Sequence, residues 1–240
     1  AMYEQGHGVV QNYQEAVRWY RKVADQGDAH AQFSLGTMYE KGLGTTQDHK
    51  EAMKWYQKAA DQGYDKGQRK LGMYYLLGLG TSKDYKQAIF WYKKAADQGL
   101  AEAQYNLGLI YHKGLDVVQD HKEAAKWYLK AANQGHAGAQ VNLGNMYFTG
   151  MGVVQDDKQA RHWFANPALQ GDVGAMLGMG FVSDTKTERY AWYNLASAYG
   201  NADARKFRDN IIKEMTPDQI AEGQEVTRRL QKLLTDAGVE

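Results

Sequence analysis

Tryptophan recurs at a fixed interval, and no other feature narrows the fold as far. Trp19, Trp55, Trp91, Trp127 and Trp163 stand 36 residues apart, and Trp192 comes seven residues early. Around them one phrase repeats: AVRWYRKVADQG, AMKWYQKAADQG, AIFWYKKAADQG, AAKWYLKAANQG, then ARHWFANPALQG and YAWYNLASAYG. Upstream of it a second phrase repeats: AQFSLGTMYEKGLG, GQRKLGMYYLLGLG, AQYNLGLIYHKGLD, AQVNLGNMYFTGMG. The full units are 28–63, 64–99, 100–135 and 136–171, with a partial unit at 1–27 and a shortened one at 172–200. A period between about 20 and 50 residues belongs to a solenoid, a propeller or an array.

Local chemistry selects the solenoid. In the tryptophan phrase Ala52, Trp55, Tyr56 and Ala59 fall on one face of a helix. Asp48, Asp84, Asp120 and Asp156 precede the copies as N-caps, with Glu51, Gln87, Glu123 and Gln159 three residues on, which predicts capping boxes. Gly63, Gly99, Gly135 and Gly171 follow the last turn, where a left-handed cap favours glycine. The upstream phrase is helical through Ala31, Leu35, Met38 and Tyr39 and stops at a glycine. Gly36, Gly72, Gly108 and Gly144 sit inside that helix. A mid-helix glycine costs about 1 kcal/mol against alanine, so close approach of the facing tryptophan is expected there. Each unit then reads as helix, glycine-rich loop, helix.

The string A-x-A-Q-x-x-L-G-x-x-Y-x-x-G-x-G-x-x-x-D-x-x-x-A-x-x-W-Y-x-x-A-A-x-Q-G resembles the Sel-one-like repeat, a relative of the tetratricopeptide repeat. Ala101, Ala103, Gln104, Leu107 and Gly108, through Asp120 and Trp127 to Gly135, carry the resemblance almost completely. The resemblance implies an all-α fold: a right-handed superhelical solenoid of antiparallel helix pairs that serves as a protein-interaction scaffold. It implies no catalytic residues, no cofactor and no metal. It also points to bacterial members, in which an exported adaptor, a host-interaction factor or a toxin-immunity protein is the expected role, in the periplasm or beyond it.

Some copies depart from the pattern. Asp116 replaces a loop glycine and is expected to keep the left-handed turn. Pro167 replaces an alanine, so its helix is expected to end early or kink after Ala165. Thr185 and Glu188 offer a replacement capping box in the shortened unit. Beyond Gly200 the period stops; residues 201–240 read as two helices, the second opened by Thr216 and Pro217, and form a C-terminal cap on the 1–200 array. Ala1 falls inside a first helix, so the chain is expected to be part of a longer protein, and no targeting segment is legible.

Charge and composition exclude several functions. With 29 Lys and Arg against 28 Asp and Glu, the chain lacks the strong basic excess of a nucleic-acid binder. Zero cysteines exclude thiolate chemistry, and no apolar run reaches the length of a membrane span. The seven histidines make no His-Glu-x-x-His arrangement, and His49 and His121 read as solvated first-turn residues. The Gly42–Gly44, Gly78–Gly80 and Gly150–Gly152 loops lack the Gly-Lys-Ser/Thr ending of a phosphate loop. The tryptophans, with Tyr39, Tyr75, Tyr111 and Tyr147, recur with the repeat and read as core.

The repeats form an internal alignment, and the positions that vary carry the function. Three of them lie opposite the repeated face of the first helix. They read Phe33, Arg69, Tyr105, Val141; then Thr37, Met73, Leu109, Asn145; then Glu40, Leu76, His112, Phe148. Apolar and aromatic residues that the fold does not require mark a binding surface. The reading is a monomer with a concave groove that holds a protein or peptide. Met73, Leu76, Tyr105, Leu109 and Phe148 supply its hydrophobic strip, with Arg69 and His112 as polar selectors and Phe33, Val141 and Asn145 alongside. Two alternatives compete: a cell-envelope enzyme or binder of peptidoglycan or β-lactam ligands, and a structural spacer within a longer array. The enzyme reading needs a nucleophile or a metal, and the sequence offers neither.

Overall fold

The computed structural model describes residues 12–239, which form thirteen α-helices and no strand. Contacts divide the chain into two compact units at residue 119. The first unit holds α1 (Tyr13–Ala24), α2 (Ala29–Lys41), α3 (His49–Asp61), α4 (Asp65–Leu77), α5 (Tyr85–Asp97) and α6 (Ala101–Lys113). The second holds α7 (His121–Asn133), α8 (Ala137–Thr149), α9 (Asp157–Leu169), α10 (Val173–Val182), α11 (Lys186–Ala198), α12 (Ala202–Ile212) and α13 (Pro217–Asp236). In each unit successive helices pack on one another as far as α12, the nearest-neighbour pattern of an α solenoid; α13 packs on α11 instead. No described helix is long and apolar enough to cross a membrane.

The caps form where the sequence places them. Asp48 accepts from the backbone N–H groups of Lys50 and Glu51, Asp156 from those of Lys158 and Gln159, and Asp84 and Asp120 from Gln87 and Glu123 alone. The expected reciprocal arm of the box differs: Glu51 and Glu123 turn outward to Lys54 and Lys126, at 2.5 and 2.9 Å. A two-way capping box does close at Thr216 and Gln219, with Pro217 at the first helical position. Thr185 caps α11 by accepting from Glu188 N–H. Asp116 holds φ at +55°, so it takes the left-handed turn of the glycine it replaces.

The core follows the repeat. Trp55, Trp91, Trp127, Trp163 and Trp192 are buried, whereas Trp19 is 52% exposed. Their partners across the helix pair differ from expectation. A Cβ on Gly36 or Gly72 would stand 2.8 or 2.7 Å from the ring of Tyr56 or Tyr92, and on Gly144 it would stand 2.7 Å from Phe164. The mid-helix glycine thus admits the aromatic residue after the tryptophan, not the tryptophan. Those rings are among the largest fully buried side chains of the described residues.

Two further expectations fail for physical reasons. The helix with Pro167 keeps the full 13-residue length of its copies. Proline lies in the last turn, where it removes a single N–H, and Gln170 N–H closes the end on the Asn166 and Pro167 carbonyls. His49 is half-buried rather than solvated, its ring edge-on to Tyr74 at 6.0 Å.

Buried glutamines join successive helix pairs. Gln32, Gln68, Gln104 and Gln140 each donate from Nε2 to the carbonyl of Ala24, Ala60, Ala96 or Ala132 at the end of the preceding helix. Gln62 and Gln98 then donate to the Oε1 of Gln32 and Gln68, at 2.7 and 2.8 Å. A helix end buried without such partners leaves carbonyls unsatisfied.

Candidate protein-interaction surface

The varying positions of the first helices come to the surface without leaving the fold. Phe33, Arg69, Met73, Leu76, Tyr105, Leu109 and His112 in the first unit are all partly buried; so are Val141 and Phe148 in the second, where Asn145 is exposed. A face that merely met solvent would be polar and open, and a core face would be closed.

In the first unit the face runs across α2, α4 and α6. Phe33 wedges its ring against Tyr56 and Tyr64, at 5.5 and 5.4 Å. Lys70 on α4 reaches back to Glu40 on α2 at 2.7 Å, and Glu40 also accepts from the Tyr56 hydroxyl at 2.6 Å. Burial and the neighbouring Glu40 carboxylate push the Tyr56 hydroxyl far above the ordinary tyrosine range. Arg69 reaches forward to Glu102 on α6 at 3.8 Å. These contacts hold three first helices side by side, with Met73 and Phe33 packed over the buried cluster of Leu71 and Tyr74. Glu40 is one of the varying positions in the sequence, yet neither it nor Lys70 belongs to the expected groove. Their signal was present: opposite charges at varying positions of adjacent units, 30 residues apart.

In the second unit the strip is more strongly apolar. Phe148 on α8 stacks face to face on Phe181 of α10, with centroids 5.5 Å apart. Phe181 in turn meets Tyr193 and the 39% exposed Phe207 of α12. Val141 and Phe148 both pack on the buried cluster around Phe164 and Met176. Among the described residues no group of three His, Asp or Glu side chains stands where a metal ion is held.

The Sel1 repeat model matches residues 1–28, 29–64, 65–100, 101–136 and 137–172. The chain belongs to the Sel1-repeat family. Sel1-repeat proteins are in general non-catalytic, protein-binding scaffolds. Among solved structures, a Sel1 repeat protein from Oxalobacter formigenes is 35% identical over 82% of this chain and 84% of its own, with a TM-score of 0.74. The protective antigen c5321 of uropathogenic Escherichia coli strains, which displays an SLR fold, is 32% identical over 99% of this chain, with a TM-score of 0.68. This chain spans 60% of that antigen's length. A Sel1 repeat protein from Klebsiella pneumoniae subsp. pneumoniae shares the fold at 22% identity and a TM-score of 0.51 over 81% of this chain and 98% of its own. Comparison with the curated proteins finds no match.

Proposed function

We propose that this Sel1-repeat chain is a non-catalytic adaptor that holds a protein or peptide segment on the varying face of its first helices. In the first unit the contact residues are Phe33, Arg69, Met73, Leu76, Tyr105, Leu109 and His112; in the second they are Val141, Asn145 and Phe148. The observation that carries the reading is the half-buried state of residues that the repeat does not fix, laid across α2, α4 and α6. Such side chains are partly ordered already, so a partner desolvates them at a reduced entropic cost. Aromatic residues and arginine are the usual anchors of specific interfaces, which singles out Arg69 and Tyr105.

The test is a photo-crosslinking residue placed at Leu76 or Tyr105, and in parallel at Lys126 on a second helix, in the 240-residue chain. The captured partner is then titrated against Arg69→Ala and Tyr105→Ala. The reading expects crosslinks from the first-helix sites and affinity losses above about tenfold. Crosslinks confined to Lys126, with unchanged affinity in both alanine variants, would refute it. Phe148→Ala is a poor probe, since its stack on Phe181 couples it to the fold.

A further inference from the structure

The second helices of the first unit carry a pattern that neither their core nor the first-helix face explains. On α3, Lys50, Lys54 and Lys58 follow one another at four-residue steps, and on α5 Lys86, Phe90 and Lys94 occupy the same places. All six are exposed, Phe90 to 46%. Among the described residues Lys50, Lys58, Lys86 and Lys94 have no carboxylate partner; only Lys54 is paired, with Glu51. Lys58 lies over the Trp55 ring at 3.9 Å, and Lys94 over Phe90 at 4.8 Å. Helix stability selects only part of this arrangement: Lys58 and Lys94 sit in the last turn, where the dipole favours a cation. Lys50 and Lys86 sit in the first turn, where the positive end of the helix dipole disfavours a cation.

The lysine column is also one wall of a cleft. Lys50, Met53, Lys54, Gln57 and Lys58 face Gly80 and Thr81 across an open volume of about 550 Å³. The opposite wall is held close by Gly80, where a Cβ would come within 2.6 Å of the His49 carbonyl oxygen. From Thr81 the chain passes in five residues to Lys86, so the second column begins at the rim of the cleft.

We propose that this second-helix face of the first unit is a second docking surface, and that it takes an extended acidic peptide segment carrying an apolar side chain. Four residues of helix advance about 6 Å, so the ammonium groups of Lys50, Lys54 and Lys58 recur at that interval. Carboxylates on alternate residues of an extended strand recur at about 6.7 Å, which brings each near one lysine. The apolar side chain, on the opposite edge of the strand, enters the cleft toward Gly80 and Thr81. A cleft, with Lys54 already paired to Glu51, suits such a peptide better than the flat, uniformly anionic surface of a bilayer. The face is separate from the one under Proposed function and does not depend on it.

The test uses the full 240-residue chain and fluorescein-labelled Glu-Ser-Glu-Phe-Glu-Ser-Glu, followed by anisotropy at low ionic strength. Binding is expected to weaken about tenfold or more in the combined Lys50→Glu, Lys54→Glu, Lys58→Glu variant and to fall with added salt. It is expected to be lost with the Gln-Ser-Gln-Phe-Gln-Ser-Gln peptide and unchanged in Arg69→Ala, Tyr105→Ala. Should the charge-reversed variant lose its helical signal, the Lys→Gln triple at the same positions is read instead. Equal binding by the wild type and the folded triple variant overturns the proposal. So does binding to phosphatidylserine vesicles with no binding to the acidic peptide. Loss of peptide binding in Arg69→Ala, Tyr105→Ala, with none in the lysine variant, assigns the peptide to the first-helix face instead.

Discussion

Single residues in this fold are held by two separable constraints, backbone conformation and proximity, and two glycines tell them apart. Gly63 and Gly80 both have positive φ, +86° and +69°. A Cβ at Gly63 meets open space, whereas one at Gly80 meets the backbone of His49 and Lys50. Gly63→Ala is therefore expected to cost the left-handed penalty alone, about 1–2 kcal/mol. Gly80→Ala adds a clash with backbone that cannot rotate away, so urea denaturation is expected to place its loss well above that of Gly63→Ala. Equal losses would show that the loop gives way freely. The tryptophans divide the same way: Trp91→Ala is expected to cost about 3–5 kcal/mol, and Trp19→Ala, at a half-exposed site, less than half as much. The tryptophan period was fully legible in the sequence, but the partner of the mid-helix glycine was not. Trp55 and Tyr56 are adjacent and both buried, and spacing alone does not say which ring meets the preceding helix.

Helices are specified mostly at their ends, and here the ends differ in a measurable way. Asp48 caps α3 with its side chain, whereas Tyr64 and Leu100 open α4 and α6 with no side-chain hydrogen bond. Asp48→Ala is expected to cost about 1 kcal/mol, and Tyr64→Asp to add a cap of similar worth to α4, offset by loss of the ring that packs on Phe33. The buried glutamine between pairs matters more. Gln68→Ala strips the Ala60 carbonyl of a donor and Gln98 of an acceptor. Leaving such a group buried and unpaired costs about 1–3 kcal/mol. A Gln68→Ala loss no larger than that of an exposed Gln87→Ala would show that water satisfies the carbonyl. At this scale helix existence, caps and loop turns could be read from periodicity, because each depends on neighbours in sequence. The fate of Pro167 could not, because its cost depends on distance from the helix end. The surface was legible as a set of varying positions. Its internal ties, Lys70 to Glu40 and Phe148 to Phe181, depend on which first helices lie side by side, and the repeat alone does not state that.

At the scale of whole units the repeat makes stability local: in the first unit each helix packs on its sequence neighbours. Within the first unit one property is nevertheless shared by successive pairs: a buried phenol. Tyr56, Tyr74 and Tyr92 are each at most 1% exposed, and burial pushes all three hydroxyls well above the ordinary tyrosine value of 10.0. Glu40 adds to the rise at Tyr56 and Tyr74, while Arg69 opposes it at Tyr92. The sign follows from linkage. Above the unfolded value the unfolded chain releases these protons and the folded chain keeps them, so the folded state binds more protons and loses stability as pH rises. Below that value both states are protonated and the contribution is fully present. Each tyrosine contributes a slope of about 1.4 kcal/mol per pH unit, and three together about 4 kcal/mol per unit, once the unfolded phenols ionise. Urea denaturation on either side of that pH is expected to show a flat region giving way to a steep alkaline decline. Tyr92→Phe removes a phenol that holds no carboxylate, so it is expected to lower the slope by about 1.4 kcal/mol per pH unit while leaving neutral stability nearly unchanged. A profile that stays flat into the alkaline range would mean that the phenols ionise in place, and that the helix pairs open to water more readily than their burial implies.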